Sequence, residues 1–391
     1  FINDGDNNNN NDISINDNNN PQTPLEINQH QQSSSLQVRQ YHELILKLQS
    51  DDVTIQTEGL RSFRKLLSIE VNPPVQQCIE VGAVPYFIHY LQRDDNEILQ
   101  FEAAWALTNI ASTDRTNVVV ESGAIPYLIK QLMSPNADVR EQCAWCLGNV
   151  AGEGAAYRDI ILQYGGLDPL LKNIQMPANV SLLRNCVWAL SNFCRGKPQS
   201  SLESIQDAYE PLVTILKTCQ DQSTVIDACW ALSYLSDGCN TRIQKLVELD
   251  PCYSLVKMLQ SNQHQIIIPA LRTLGNIVSG EDHQTQAVVD AGALSAVVPL
   301  LSHGKKNIRK EACWMISNIA AGNKSQLSSV VNTPELIVRV LNLMTESTEW
   351  DVRKEAAWVV SNIATGGSKH HVFTLIEQGA IQPICDLLDG K

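Results

Sequence analysis

Basic residues are few beside acidic ones: 29 Lys and Arg stand against 42 Asp and Glu, a formal net charge of -13. A surface that tracks a phosphate backbone needs the opposite sign, so direct nucleic-acid binding is excluded and a basic partner is favoured. Long apolar runs are also missing. None approaches the roughly 18 residues needed to cross a bilayer, so no membrane insertion is expected. The eight His show no metal-ligand spacing, and no metal or cofactor is expected. Eleven Cys are scattered through apolar stretches without a recognisable secretory leader, which predicts buried thiols in a reducing compartment. Cys143-Ala-Trp-Cys146 has the spacing of a redox motif but falls inside a repeated helical stretch, where packing thiols are the stronger reading. No enzyme is expected. The sequence begins at Phe1 and not at Met, which suggests a fragment.

What the sequence does contain is a repeat. Glu102-Ala-Ala-Trp105-Ala-Leu-Thr-Asn109 returns in near copies, with a Trp and an Asn four residues later at Trp145/Asn149, Trp188/Asn192, Trp314/Asn318 and Trp358/Asn362. Two copies are altered: Trp230 is followed by Tyr234, and Arg272 takes the Trp place before Asn276. The copies are separated by 40, 43, 42, 42, 42 and 44 residues. A period in this range predicts a solenoid of stacked helical units.

Residues 1–34 are rich in Asn with few apolar side chains, and are expected to be a disordered linker because they cannot bury enough surface to offset the entropy of ordering. Residues 35–391 are expected to form the solenoid, with about eight repeats and part of a ninth. In the first unit Arg61 and Lys65 stand where later copies have Trp and Asn, which reads as a terminal cap. The full unit is clearest over residues 114–152. A short helix over Thr116 to Glu121 meets Gly123, Ala124-Ile125-Pro126 opens a second helix ending near Met133, and a third runs from about Ala137 to Ala151. Similar punctuation recurs at Gly82/Pro85, Gly166/Pro169, Gly292 and Gly379/Pro383, while Pro251 and Pro334 mark the units that have lost the Gly. After Gly379 only the second helix of a ninth unit follows, so further repeats are expected beyond Lys391. Three helices per unit of about 42 residues is the armadillo layout, an all-α fold.

A Trp and an Asn at i and i+4 share one helix face. Burying six such Asn side chains would be costly, so the pairs are expected on an open, concave face. Asn amides in register can pair with the backbone of an extended peptide, and parallel Trp rings can hold the stems of Lys or Arg. Glu102, Asp227, Glu311 and Glu355 lie three residues before their Trp or its equivalent place, and Glu153, Asp237, Glu281 and Asp282 follow just past helix ends. Together they predict an acidic, Trp-lined trough for a basic peptide. Tyr234 and Arg272 divide it into a segment over Trp105, Trp145 and Trp188 and another over Trp314 and Trp358.

These motifs, TrpAlaLeuThrAsn at 105–109, TrpCysLeuGlyAsn at 145–149, TrpAlaLeuSerAsn at 188–192, TrpAlaLeuSerTyr at 230–234 and ArgThrLeuGlyAsn at 272–276, resemble those of the importin alpha (karyopherin alpha) nuclear import adaptors. The resemblance covers residues 36–390. It implies a right-handed superhelical solenoid that binds Lys/Arg-rich nuclear localisation signals and shuttles between cytoplasm and nucleus. The implied major site is Trp105, Asn109, Thr116, Trp145, Asn149, Glu153, Trp188, Asn192, Asp227 and Trp230. The implied minor site is Arg272, Asn276, Asp282, Thr285, Glu311, Trp314, Asn318, Glu355, Trp358 and Asn362. A monopartite signal would use the major site and a bipartite one both. Implied partners include importin beta, through a basic N-terminal segment not recognisable in residues 1–40, and a nuclear export factor, through repeats past Lys391. The sequence departs from the family at residues 110–116, a loop two residues shorter and without Gly, and at Glu153, where the family usually has Asp. A catenin-like scaffold for other extended peptides is the alternative, but its groove should be lined by Lys and Arg.

Overall fold

The computed structural model describes residues 39–347 and 349–389, so the Asn-rich stretch over residues 1–34 lies outside the described residues. Every described element is helical. One long helix per repeat carries the Trp/Asn register: α1 Val53–Leu67, α2 Glu97–Ala111, α3 Ala137–Glu153, α4 Val180–Cys194, α5 Gln222–Ser236, α6 His264–Ile277, α7 Lys306–Ala320 and α8 Trp350–Gly366. Each packs side by side against the next, and two shorter helices per repeat form the outer layers. Short side chains allow the close approach: on α3, Cys143, Ala144, Cys146, Leu147 and Val150 are all fully buried.

Helix starts follow the local chemistry. Asn136 accepts hydrogen bonds from the backbone N–H of Asp138 at 2.8 Å and of Val139 at 3.3 Å, opening α3 where its sequence predicts it. Asp52, Asn96, Asn179 and Asp221 cap α1, α2, α4 and α5 in the same way, each worth about 1 kcal/mol. Most of the sharp turns before the second helices use a left-handed residue, and Gly82, Gly123, Gly292 and Gly379 supply it with φ between 79° and 89°. In the fourth repeat that residue is Gly165, with φ 75°, and not Gly166, which sits in the right-handed region. Where the Gly is lost, Asp250 and Glu335 take the left-handed conformation themselves, at φ 54° and 61°.

Side-chain amides tie neighbouring repeats together in the outer layers as well as the inner one. On second helices, Gln131 Nε2 donates to the Leu91 carbonyl at 2.9 Å and Asn173 Nδ2 to the Leu132 carbonyl at 2.7 Å. On first helices, Gln284 Nε2 donates to the Asn240 carbonyl and Gln326 Nε2 to the Asp282 carbonyl. Each such bond satisfies a buried polar group and fixes the offset between units. All eleven Cys are free thiols, and eight are buried. Burial pushes the Cys146 thiol up to about 12 and raises that of Cys143 strongly, so the pair packs α3 against its neighbours.

Candidate functional site: a peptide trough along the long helices

The Asn ladder is partly structural. Asn149 Nδ2 donates to the Thr108 carbonyl at 3.3 Å, Asn192 to Gly148 at 3.2 Å, Asn276 to Ser233 at 2.9 Å and Asn362 to Ser317 at 2.9 Å. In each case the acceptor lies one residue before the Asn place of the preceding repeat. Asn109 donates to Ser68 Oγ at 2.8 Å and to the Arg64 carbonyl at 3.4 Å. Asn318 differs, since its Nδ2 is shielded and meets no acceptor among the described residues. The expectation of a fully open Asn row is therefore corrected: Asn192 and Asn276 are each 7% exposed, and the others are half-buried. Bonding to the previous repeat removes the cost of burial and leaves the amide oxygen for a ligand.

The Trp rings stand at different depths. Trp145 and Trp358 are exposed, at 43% and 52%, whereas Trp105, Trp188, Trp230 and Trp314 are half-buried. Trp188 and Trp314 lie against Gly148 and Gly275, glycines inside α3 and α6 whose missing side chains make room for the rings. Trp230 stacks on Tyr234 of its own helix, with ring centroids 5.9 Å apart.

Two cavities lie along this face. One, of about 730 Å³, is lined by Ser112, Thr113, Asp114, Asn149, Glu153, Trp188, Asn192 and Asp227 among others. The other, of about 520 Å³, includes Asp237, Arg272, Asn276, Glu311, Trp314 and Glu355. Arg195, Trp230 and Tyr234 line both, so the trough runs on past the irregular Tyr234 position. Trp105, Asn109, Trp145, Asn318, Trp358 and Asn362 share the same helix register but lie outside both cavities. The two threonines turn inward. Thr116 is 1% exposed, with Oγ within 3.0 Å of the Ala111 carbonyl and 2.9 Å of the Thr113 carbonyl, and buried Thr285 donates to the Val278 carbonyl at 3.3 Å. Both brace the loop that follows a long helix. Exposed Asp282 accepts from Asn323 Nδ2 of the next repeat at 3.4 Å.

The carboxylates do not form one acidic row. Glu102 is buried between Arg61 and Arg64, with Nε–Oε distances of 2.8 Å to each. Burial opposes its ionisation, but the two guanidiniums outweigh that and hold its carboxyl below the usual range. Glu311 is buried and held by both Nε and Nη2 of Arg272. Asp237 pairs with Lys197 at 2.9 Å. Asp227 and Glu355 form no ion pair among the described residues, and burial raises both carboxyls, that of Asp227 to about 6. The first cavity thus sets three acids, Asp114, Glu153 and Asp227, against Arg195 alone, whereas the second mixes Arg195, Lys197, Arg272 and Lys310 with Asp237, Glu311 and Glu355. Sequence reasoning missed the Arg partners because they sit on the neighbouring repeat, about 40 residues earlier.

The armadillo/beta-catenin-like repeat model matches residues 72–112, 155–195, 206–237 and 281–321, and a HEAT-like repeat model matches residues 97–150. Among solved structures, a designed armadillo repeat protein in complex with peptide (KR)4 is 29% identical, with a TM-score of 0.56 over 61% of this chain and 98% of that one. Importin subunit alpha-1b of Oryza sativa subsp. japonica is 50% identical over 347 residues, 88% of this chain and 65% of that protein. Importin subunit alpha-1a from the same organism is 49% identical over 239 residues, 61% of this chain and 45% of that protein. The chain thus spans less than two thirds of the length of these relatives. Half of the 347 aligned residues are nevertheless identical to those of an importin alpha, and the chain belongs to the importin alpha family of armadillo-repeat proteins.

Proposed function

We propose that the chain is the cargo-binding part of a nuclear import adaptor, holding Lys/Arg-rich nuclear localisation signals as extended peptides along the long helices. The observation that carries this reading is the cavity where Glu153 and Asp227 flank Trp188, Trp230 and the Asn149 and Asn192 amides. Aromatic faces and unpaired carboxylates favour long cationic side chains there, and the amide oxygens take backbone N–H groups without reading sequence. The family lends support, as does the (KR)4 ligand of the designed relative. The major site would centre on Trp145, Asn149, Glu153, Trp188, Asn192, Asp227 and Trp230, reached from Trp105 and Asn109, with Thr116 supporting the loop. The minor site would use Asn276, Glu311, Trp314, Asn318, Glu355, Trp358 and Asn362, with Thr285 and Asp282 beside it. Partnership with importin beta and an export factor, and shuttling between cytoplasm and nucleus, belong to the same proposal.

A titration tests it. A labelled Lys-rich signal peptide should bind, more weakly at high salt, while a Glu-rich peptide of equal length should not. The double substitution Trp145→Ala and Asn149→Ala should weaken binding strongly. Equal binding by the two peptides, or indifference to the double substitution, would refute the reading.

A further inference from the structure

The Trp place of the repeat is taken by an Arg twice: at Arg61, 44 residues before Trp105, and at Arg272, 42 residues before Trp314. Both arginines do the same thing. Each reaches across to the next repeat and pairs with the Glu three residues ahead of its Trp, Arg61 Nε to Glu102 Oε1 at 2.8 Å and Arg272 Nε to Glu311 Oε2 at 2.8 Å. A guanidinium also covers each Trp face, that of Arg64 at 4.2 Å from the Trp105 ring centre and that of Arg272 at 6.0 Å from Trp314. The carboxylates involved are buried, while Asp227 before Trp230 and Glu355 before Trp358 occupy the equivalent place and have no Arg or Lys in ion-pair contact among the described residues.

We infer that Arg61 with Arg64, and Arg272, are register stops: built-in cationic occupants that fill the Lys/Arg slot at the first Trp of each binding segment. A basic side chain arriving at Trp230 or Trp358 meets an unpaired carboxylate beside an aromatic face. At Trp105 it meets one carboxylate and two guanidiniums, a local charge of +1, and at Trp314 a neutralised pair whose cation already lies over the ring. Repulsion and loss of the ring face make these positions poor for Lys or Arg and compatible with a neutral or acidic residue. The protein would thereby limit how many consecutive basic residues each segment accepts, and so fix which residue of a signal enters which slot. Arg61, Arg64 and Arg272 act here as specificity-determining residues. This rests on the proposed peptide-binding function.

The test uses the whole chain, (KR)4 as the probe, and the variant Arg272→Gln. Gln keeps a donor for buried Glu311, so the fold is retained, yet it frees the Glu311 charge and the Trp314 face. Affinity for (KR)4 should rise about fivefold, and adding Glu311→Gln should abolish the gain. Arg61→Gln with Arg64→Gln should likewise improve binding of (KR)4 more than of the shorter (KR)2. If the parent protein binds (KR)4 and neither variant set binds it more tightly, the register stops are refuted and the groove reading stands. If the parent protein binds neither peptide, the groove reading falls and this inference falls with it.

Discussion

Gly148 lies against the indole of Trp188 so closely that a Cβ on it would stand 2.4 Å from Cζ3 and 2.8 Å from Cε3. Gly275 bears the same relation to Trp314, at 2.2 Å. These two helical glycines set how deeply the two rings sit, and hence the shape of the slots. Replacing a Gly inside a helix by Ala ordinarily stabilises it by about 1 kcal/mol. Here the ring has to move, and overpacking of this kind costs about 1 to 3 kcal/mol. Gly148→Ala and Gly275→Ala are therefore expected to lower stability in a denaturant melt and to weaken binding of a Lys-rich peptide. An unchanged or raised melting midpoint with unchanged affinity would show that the rings are not seated by these glycines.

The Asn side chains separate into two roles that one pair of substitutions can distinguish. Asn276 is buried and donates to both the Ser233 carbonyl and Ser236 Oγ, so Asn276→Ala removes two buried hydrogen bonds and should cost about 1 to 3 kcal/mol of stability. Asn149 is half-buried and makes one longer bond, to the Thr108 carbonyl. Asn149→Ala should cost about 0.5 to 1 kcal/mol of stability and show its main effect in peptide titration. Comparing the two melts against the two titrations checks the assignment, and equal loss of stability in both variants would contradict it.

Arg158 is fully buried, and its guanidinium donates to the carbonyls of Arg195 and Pro198 at 2.7 Å each. It clamps the loop that brings Arg195 to both cavities and Lys197 to Asp237. Lys cannot span carbonyls arranged for a planar fork, so Arg158→Lys is expected to destabilise the chain by about 2 kcal/mol or more. Limited proteolysis should then cut first within residues 195–199, and first cleavage elsewhere with undiminished stability would overturn this role.

The repeat was legible because its signals are local. Apolar spacing and Gly/Pro punctuation place Thr116–Glu121 as the structure has it, and α3 is expected over residues 137–151 and found over Ala137–Glu153. The Trp/Asn face was legible for the same reason, since i and i+4 share one side of a helix. What one helix cannot reveal is its neighbour. Whether Glu102 and Glu311 face a ligand depends on Arg61, Arg64 and Arg272 one repeat earlier, and whether an Asn can be buried depends on a carbonyl at the same offset. A search for opposite charges about 40 residues apart would have found these pairs, because in a solenoid that offset is a contact distance.

Asp227 gives the trough a pH response whose sign can be worked out. Burial, with a contribution from nearby Asp221, holds its carboxyl at about 6 against 3.8 for an ordinary Asp. The folded chain therefore binds this proton more tightly than the unfolded one. The associated stability is fully present below about 3.8 and is lost as pH rises through about 6, a difference of no more than about 3 kcal/mol. Asp227→Asn should accordingly raise stability at pH 7 and have little effect at pH 4. Peptide binding responds in the opposite sense, since a Lys beside Asp227 favours the charged carboxylate. Affinity for a Lys-rich peptide should increase as pH rises through about 6 and level off above it. No His lines either cavity, so the step belongs to carboxylates. Titrations between pH 5 and pH 8 check this: the step should disappear in Asp227→Asn together with part of the affinity, and a step that survives the substitution would assign it to another group.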